Sequence, residues 1–286
     1  MKWRNSRESD NVEDRRGLRG RQVVAGGGIA GVIIYLLFAF LGGGEIDPSQ
    51  LTQMTQTNQT STLSPEEQAA DDERAAFVKV ILGKTEDVWN KLFREQGQTY
   101  KEPTLVLFRG KVESACGYAS AASGPFYCPG DQKLYIDLSF FEELEKLTNK
   151  SQIEFAMAYV IAHEVGHHIQ NLNGTATQMQ KLRSQVSEEQ YNRYSVKMEL
   201  QADFLAGVWA HYEQQMKNSL EPGDIEEALT AANAIGDDRL QKQSQGYVVP
   251  DAFTHGTSQQ RMYWFKKGYQ TGNLSQGDTF NDPSLR

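Results

Sequence analysis

The sequence predicts an α+β fold in which two long helices pack beside a small sheet, preceded by one membrane-spanning helix. Three observations carry this expectation. Residues 153–172 form a long apolar run that ends near Asn173-Gly174, and residues 187–212 open on Ser187-Glu188-Glu189-Gln190, a capping-box start. In residues 134–139, Leu134, Ile136 and Leu138 alternate with Tyr135, Asp137 and Ser139, the period of a half-buried strand.

Taken in order, residues 1–22 carry seven Lys/Arg against four Asp/Glu, and their polarity predicts a disordered tail. Since the whole chain carries a net charge of −8, the remaining residues carry −11. So acidic a body repels phosphate backbones, which excludes nucleic acid as the expected partner. Residues 23–41 contain no charge and no proline, and Gly42-Gly43-Gly44 extends the run. That length matches the roughly 30 Å hydrocarbon core of a bilayer, so residues 23–44 are expected to be a membrane anchor. The arginines precede it and no Lys or Arg follows until Arg74, which places the N-terminus in the cytoplasm and the rest outside. A cleaved signal peptide fits less well, because Phe38, Phe40 and Leu41 stand where a small-x-small cleavage site belongs.

Residues 45–64 are rich in Gln, Thr and Ser and read as a flexible tether. The folded domain is expected over residues 65–271, with a polar tail at 272–286. Helices are expected at 65–82 and at 85–96, the second capped by Thr85 with Val88, Trp89, Leu92 and Phe93 on one face. Residues 104–108 read as a strand. Residues 117–130 read as an irregular Gly/Pro/Ser loop closed by Cys116 and Cys128, whose short spacing in an exported domain predicts a disulfide. Further helices are expected at 224–234 and 258–269. The strand at 134–140 is a candidate edge to which an extended peptide could add, beside an equally open role in simple core packing.

The chemistry concentrates at the end of the first long helix. His163 and His167 are four residues apart, so they leave one helical face about a turn apart and can hold one metal ion. Glu164 follows the first histidine and can act there as a general base. Two histidines and a glutamate at the end of so apolar a helix are costly to bury without a partner, and a metal supplies one. Gly166 lets a neighbouring backbone come close. His168 is turned about 100° away and is expected at the rim or in support behind the ligands, not as a ligand. On the second long helix Glu199 and Asp203 share a face. Glu199 is the expected third ligand, and Asp203 the acceptor that fixes the tautomer of a ligating histidine. His211 is a rival ligand about three turns farther along.

His-Glu-x-x-His followed by Glu-x-x-x-Asp on a later helix resembles the gluzincin metallopeptidases, including the membrane-associated HtpX and CAAX-protease group. A broader match involves Cys116-Gly117, Gly124-Pro125-Phe126-Tyr127-Cys128-Pro129, the stretch Tyr135-Ile136-Asp137-Leu138-Ser139-Phe140-Phe141, His163-Glu164-Val165-Gly166-His167-His168 and Glu199-Leu200-Gln201-Ala202-Asp203-Phe204-Leu205-Ala206-Gly207. Together these look like the bacterial predicted neutral zinc metallopeptidases, the YpfJ-like family. The resemblance implies a zincin-like fold, one zinc ion per chain and a peptide or unfolded-protein substrate. With the anchor reading, it implies a bacterial inner-membrane protein with its catalytic domain outside the cytoplasm. Thr254-His255, with Arg261 six residues on, is similar to the Thr-His-Pro…Arg element of the HtpX-like group, although Gly256 replaces the proline. His255 is therefore a candidate donor to the reacting carbonyl, beside the alternative of a structural histidine. Arg261 is a candidate partner for a carboxylate. The rivals are a membrane-tethered binding module that keeps zinc for stability, which Glu164 argues against, and a chaperone-like quality-control protein whose peptidase activity is minor.

Overall fold

The computed structural model describes residues 1–16, 64–120, 123–148 and 153–285. The described strands are β1 (Val12–Asp14), β2 (Thr104–Phe108), β3 (Lys111–Ser114), β4 (Gly117–Ser120), β5 (Phe126–Cys128) and β6 (Lys133–Asp137). The helices are α1 (Pro65–Glu95), α2 (Phe140–Thr148), α3 (Glu154–Leu172), α4 (Thr175–Arg183), α5 (Glu188–Lys217), α6 (Asp224–Ala234), α7 (Asp237–Gln245) and α8 (Ser258–Thr271). This is a mostly helical α+β arrangement with a small sheet.

The sheet runs β1-β2-β6-β5, with β1, β2 and β6 parallel and β5 antiparallel to β6. β6 is therefore interior and takes the core-packing role of the two expected for it, and β5 takes the edge. Nor is β6 half-buried. Leu134 and Ile136 join the helical core, while Tyr135 packs on the other face with Val106, Phe108 and Cys128 beside the β3–β4 hairpin. The polar members of that face are held by hydrogen bonds: Asp137 accepts from the backbone of Gly110 at 2.6 Å and Ser139 at 2.9 Å. Residues 117–130, expected as a loop, supply β4 and β5. Their turn residues sit between strands too short for a period to be read.

The sequence predicts a break at residues 83–84 between two helices, yet α1 is continuous. The Thr85 hydroxyl donates to the Leu82 carbonyl at 2.7 Å instead of capping a new helix. Gly83 is there for another reason: a methyl at this position would lie 2.9 Å from the Arg7 carbonyl oxygen.

That contact belongs to the largest departure from expectation. Residues 1–16 are not a free tail. β1 pairs with β2, Trp3 is buried edge-on against Phe77 at 5.3 Å, and its Nε1 donates to Glu154 at 3.1 Å. Glu86, 1 % exposed, accepts from Arg7 at 2.8 Å, Ser9 at 2.5 Å and Asn11 at 2.9 Å. Arg16 reaches Asp71 at 2.9 Å. Arg4, Arg7 and Arg16 of this segment are matched to acids of α1, which a charge count along the chain does not reveal.

This packing overturns the expected topology of a cytoplasmic tail and an exported domain joined by one crossing. Residues 1–16 share a sheet and a core with the body that follows residue 64, so the two stand on the same side of any membrane. Among the described residues no helix is long and apolar enough to cross a membrane. The apolar run 23–41, and residues 45–63 of the expected tether, fall outside the described residues.

The site is positioned by two close helix crossings. α5 and α8 meet at Gly207 and Gly268, where added methyl groups would lie 2.1 Å from the carbonyl oxygens of Phe265 and Phe204. α3 meets α5 at Gly166, against Ala202. The stretch after residue 271, expected as a polar tail, lies against this body: Thr279 is fully buried and donates to the Lys197 carbonyl at 2.6 Å.

Candidate metal centre

α3 is apolar for most of its length because it lies at the centre of the core, with Phe155, Met157, Tyr159 and Ile161 inaccessible to solvent. Its C-terminal half brings His163 and Glu164 to the surface of that core, both buried. The Gly166–Ala202 contact sets α5 close enough for Glu199 to face both histidines. His163 Nε2 lies 3.1 Å from one Glu199 oxygen and His167 Nε2 lies 3.3 Å from the other. One ligand atom from each residue falls within 4.8 Å of the others.

The opposite ring nitrogens are also occupied. His163 Nδ1 is 2.8 Å from Asp203 Oδ1 and His167 Nδ1 is 2.8 Å from Gln170 Oε1. Both partners accept, so each ring carries a proton on Nδ1 and turns Nε2 toward Glu199, the atom free to ligate once the ring is neutral. Facing a carboxylate, each Nε2 calls for a positive charge between them, either its own proton or a shared metal ion. Burial disfavours charge on His163, but Asp203 and Glu199 outweigh it and push its pKa up to about 10; His167 is raised against burial by Glu199. Burial likewise opposes the Glu199 anion, but the two histidines hold it well below the usual carboxylate range. The field favours a cation here, and two imidazoles with one carboxylate are a zinc donor set with room for a further ligand. The residues fit the metal.

Glu164 is different. Burial raises its pKa above the ordinary carboxylate value, partly offset by the two histidines and by the backbone N–H of Tyr127 on β5. It is thus a carboxylate beside the ligand cluster but outside it, in contact with the edge strand. His168, one residue past the second ligand, does not face the cluster. It is bonded to Tyr127 Oη at 3.0 Å and to the Lys101 carbonyl at 2.6 Å, and so pins β5 to α3.

Asp203 is fully buried. Its Oδ1 accepts from Tyr159 at 2.6 Å, and Arg261 donates from Nε to Oδ2 at 2.8 Å and from Nη2 to Oδ1 at 2.9 Å. Burial opposes ionisation, but Arg261 and His163 hold Asp203 at a pKa of about 2. His255 stands apart from this cluster, with its side chain half exposed. Its Nδ1 is 3.2 Å from Asp237 Oδ1, while Asp237 Oδ2 accepts the backbone N–H groups of Thr254, His255 and Gly256. Its pKa is raised, with Asp237 and the Glu199 charge overcoming burial. His211 bonds the Tyr269 carbonyl at 2.8 Å and takes no part. Cys116 and Cys128 form a disulfide that ties the end of β5 to the hairpin.

The sequence reading missed Gln170, Tyr159, Tyr127 and Asp237. Two of these carried a signal: Tyr159 precedes His163 by four residues and Gln170 follows His167 by three, so each shares a face with its histidine. Asp237 is brought to His255 by tertiary packing alone.

A family model described as "Putative neutral zinc metallopeptidase" matches residues 1–280. The chain is 47 % identical to the uncharacterized protein YpfJ of Escherichia coli K12 over 289 aligned residues, covering 98 % of this chain and 99 % of the relative. It is 42 % identical to an uncharacterized protein of Mycobacterium bovis over 227 residues, covering 76 % of this chain and 74 % of that one. No solved structure matches.

Proposed function

This chain belongs to that zinc metallopeptidase family, and on this premise we propose that it is a zinc-dependent endopeptidase of the gluzincin type acting on peptides or unfolded proteins. The observation that carries the reading is the convergence of both histidine Nε2 atoms on Glu199, with the buried Glu164 beside them and not among them. His163, His167 and Glu199 would hold one zinc ion, which supplies Lewis-acid polarisation of the scissile carbonyl when bound.

Glu164 accepts a proton from the attacking water and returns it to the leaving amine. Its burial, which raises its pKa, suits it to both halves of that task. Asp203 keeps His163 in the ligating tautomer, and Arg261 keeps Asp203 ionised while locking its orientation. β5 is the edge of the sheet nearest Glu164, so an extended substrate would add there as a further strand. His255, held by Asp237 through Nδ1, would offer Nε2 to the developing oxyanion. The test is hydrolysis of an unfolded protein by the zinc-loaded chain and its loss in Glu164→Gln at equal zinc content.

A further inference from the structure

Nothing in the ligand set explains why Gln170 is buried, at 1 % exposure, on the inner side of α3. Its amide makes three contacts that form a directed chain. Nε2 donates to the Met198 carbonyl at 2.7 Å and to Gln201 Oε1 at 3.0 Å, while Oε1 lies 2.8 Å from His167 Nδ1. Gln201 Nε2 in turn donates to the Gly277 carbonyl at 3.0 Å.

The direction of this chain is forced. A backbone carbonyl can only accept, so the end of Gln170 facing Met198 must be its NH2 group and the end facing His167 must be its oxygen. The same logic at Gly277 turns the oxygen of Gln201 toward Gln170. Both acceptors of the Gln170 NH2 group are thereby fixed by main chain, and the amide cannot flip without leaving donor facing donor and acceptor facing acceptor in a buried site. With oxygen presented to it, His167 Nδ1 must carry the proton, and Nε2 is left as the only lone pair of the ring.

We propose that Gln170, oriented by Met198 and Gln201, is the positioning residue of His167, selecting Nε2 as its ligating atom. It does for the second histidine what Asp203 does for the first, with one difference. Asp203 is an anion that raises the basicity of its ring, whereas Gln170 is neutral, so the two histidines are oriented alike but not charged alike. A second carboxylate in place of Gln170 would add negative charge to a centre that already holds Glu164, Glu199 and Asp203. The relay also ends on Gly277, so the segment after α8 bears on the metal centre through two amides.

The proposal rests on the metal-site reading above, and its experiment separates the two. Zinc affinity is measured by chelator competition for wild type, Gln170→Met, Gln170→Glu and Gln201→Leu. Wild type should bind about one zinc per chain, and its failure to bind would remove the site itself. Gln170→Met, nearly isosteric but without an acceptor, should bind roughly 10- to 100-fold more weakly. Gln170→Glu restores an acceptor toward His167 but sets a second oxygen against the Met198 carbonyl and Gln201 Oε1, so it should recover that loss only in part. In the zinc-loaded wild type, nitrogen-15 NMR should show His167 protonated at Nδ1, with that proton slow to exchange. If Gln170→Met binds zinc as tightly as a binding-competent wild type, the positioning role is wrong while the site stands. Should Gln170→Met fail to fold, Gln201→Leu decides: weaker zinc binding sustains the relay, and unchanged binding overturns it.

Discussion

Arg261 grips Asp203 with two parallel hydrogen bonds, Nε to Oδ2 at 2.8 Å and Nη2 to Oδ1 at 2.9 Å, and both residues are buried. The pair lies behind His163, so its first task is to keep one buried anion satisfied. Arg261→Ala would leave Asp203 charged and without its partner, a change that costs about 3–5 kcal/mol in comparable buried pairs. Arg261→Lys keeps the charge but loses the fork, and should fall between. Denaturant unfolding of the metal-free proteins checks the order; equal midpoints for wild type and Arg261→Ala would show the pair to be inert.

The same pair fixes an acid limit. Asp203 is depressed to about 2 in the folded chain, below its ordinary value. A depressed carboxylate contributes stability that is complete above the unfolded pKa of about 4 and is lost as pH falls through the folded value. Between pH 4 and pH 2 the stability of wild type should therefore fall with a slope about one proton steeper than that of Asp203→Asn. Parallel slopes in that window would mean that Asp203 is not held ionised.

The N-terminal segment supplies a further expectation. Glu86 is buried and its partners Arg7, Ser9 and Asn11 all come from residues 1–16. A chain beginning at residue 64 would lose all three, along with β1 and the Trp3 contact, and uncover the apolar residues packed beneath them. It should be unfolded or much less stable than the full chain. Cooperative unfolding at the full-chain midpoint would show that the segment does not belong to the folded body.

That segment also marks where sequence reading stopped. The helices that carry chemistry were legible because their signals are local: Ser187 and Gln190 form the capping box of α5, and the His163/His167 and Glu199/Asp203 spacings are helical repeats. What stayed hidden depends on partners distant in sequence. Arg7 and Glu86 are both ordinary surface residues until they are paired, and β5, three residues long, is too short for an alternation to show. The period of β6 identifies a strand but leaves edge and core packing equally open, because a clear period does not say whether a neighbour lies on either side.

Gly166 is expected to be intolerant of any side chain. A methyl group there would lie 3.0 Å from the Ala202 carbonyl oxygen and 3.1 Å from its Cα, so α3 and α5 would have to part. Because His163 and His167 ride on one helix and Glu199 on the other, separation should show first in metal binding. Gly166→Val should lower zinc affinity by more than Gly166→Ala, with helix content little changed. Zinc binding equal to wild type in Gly166→Val would mean that the crossing does not set the site.

The catalytic reading stands on Glu164, which is buried next to both histidines and contacts the edge strand yet holds neither metal-facing nitrogen. Replacing it with glutamine preserves size and the ability to accept the Tyr127 N–H, so the fold and the zinc content should survive. What the amide cannot do is take a proton. Hydrolysis of an unfolded protein should therefore fall by the roughly 10²–10⁴-fold typical of losing a general base. His255→Ala should cost less, because His255 is half exposed and stands outside the cluster, and it should change the rate without changing which bond is cut. The contrast between the two variants carries the argument. A base leaves no route for the proton when removed, whereas a hydrogen-bond donor to an oxyanion can be replaced in part by water. If zinc-loaded Glu164→Gln cleaves at the wild-type rate, the activity belongs to other residues, and a zinc-holding protein without peptidase chemistry becomes the better description of this site.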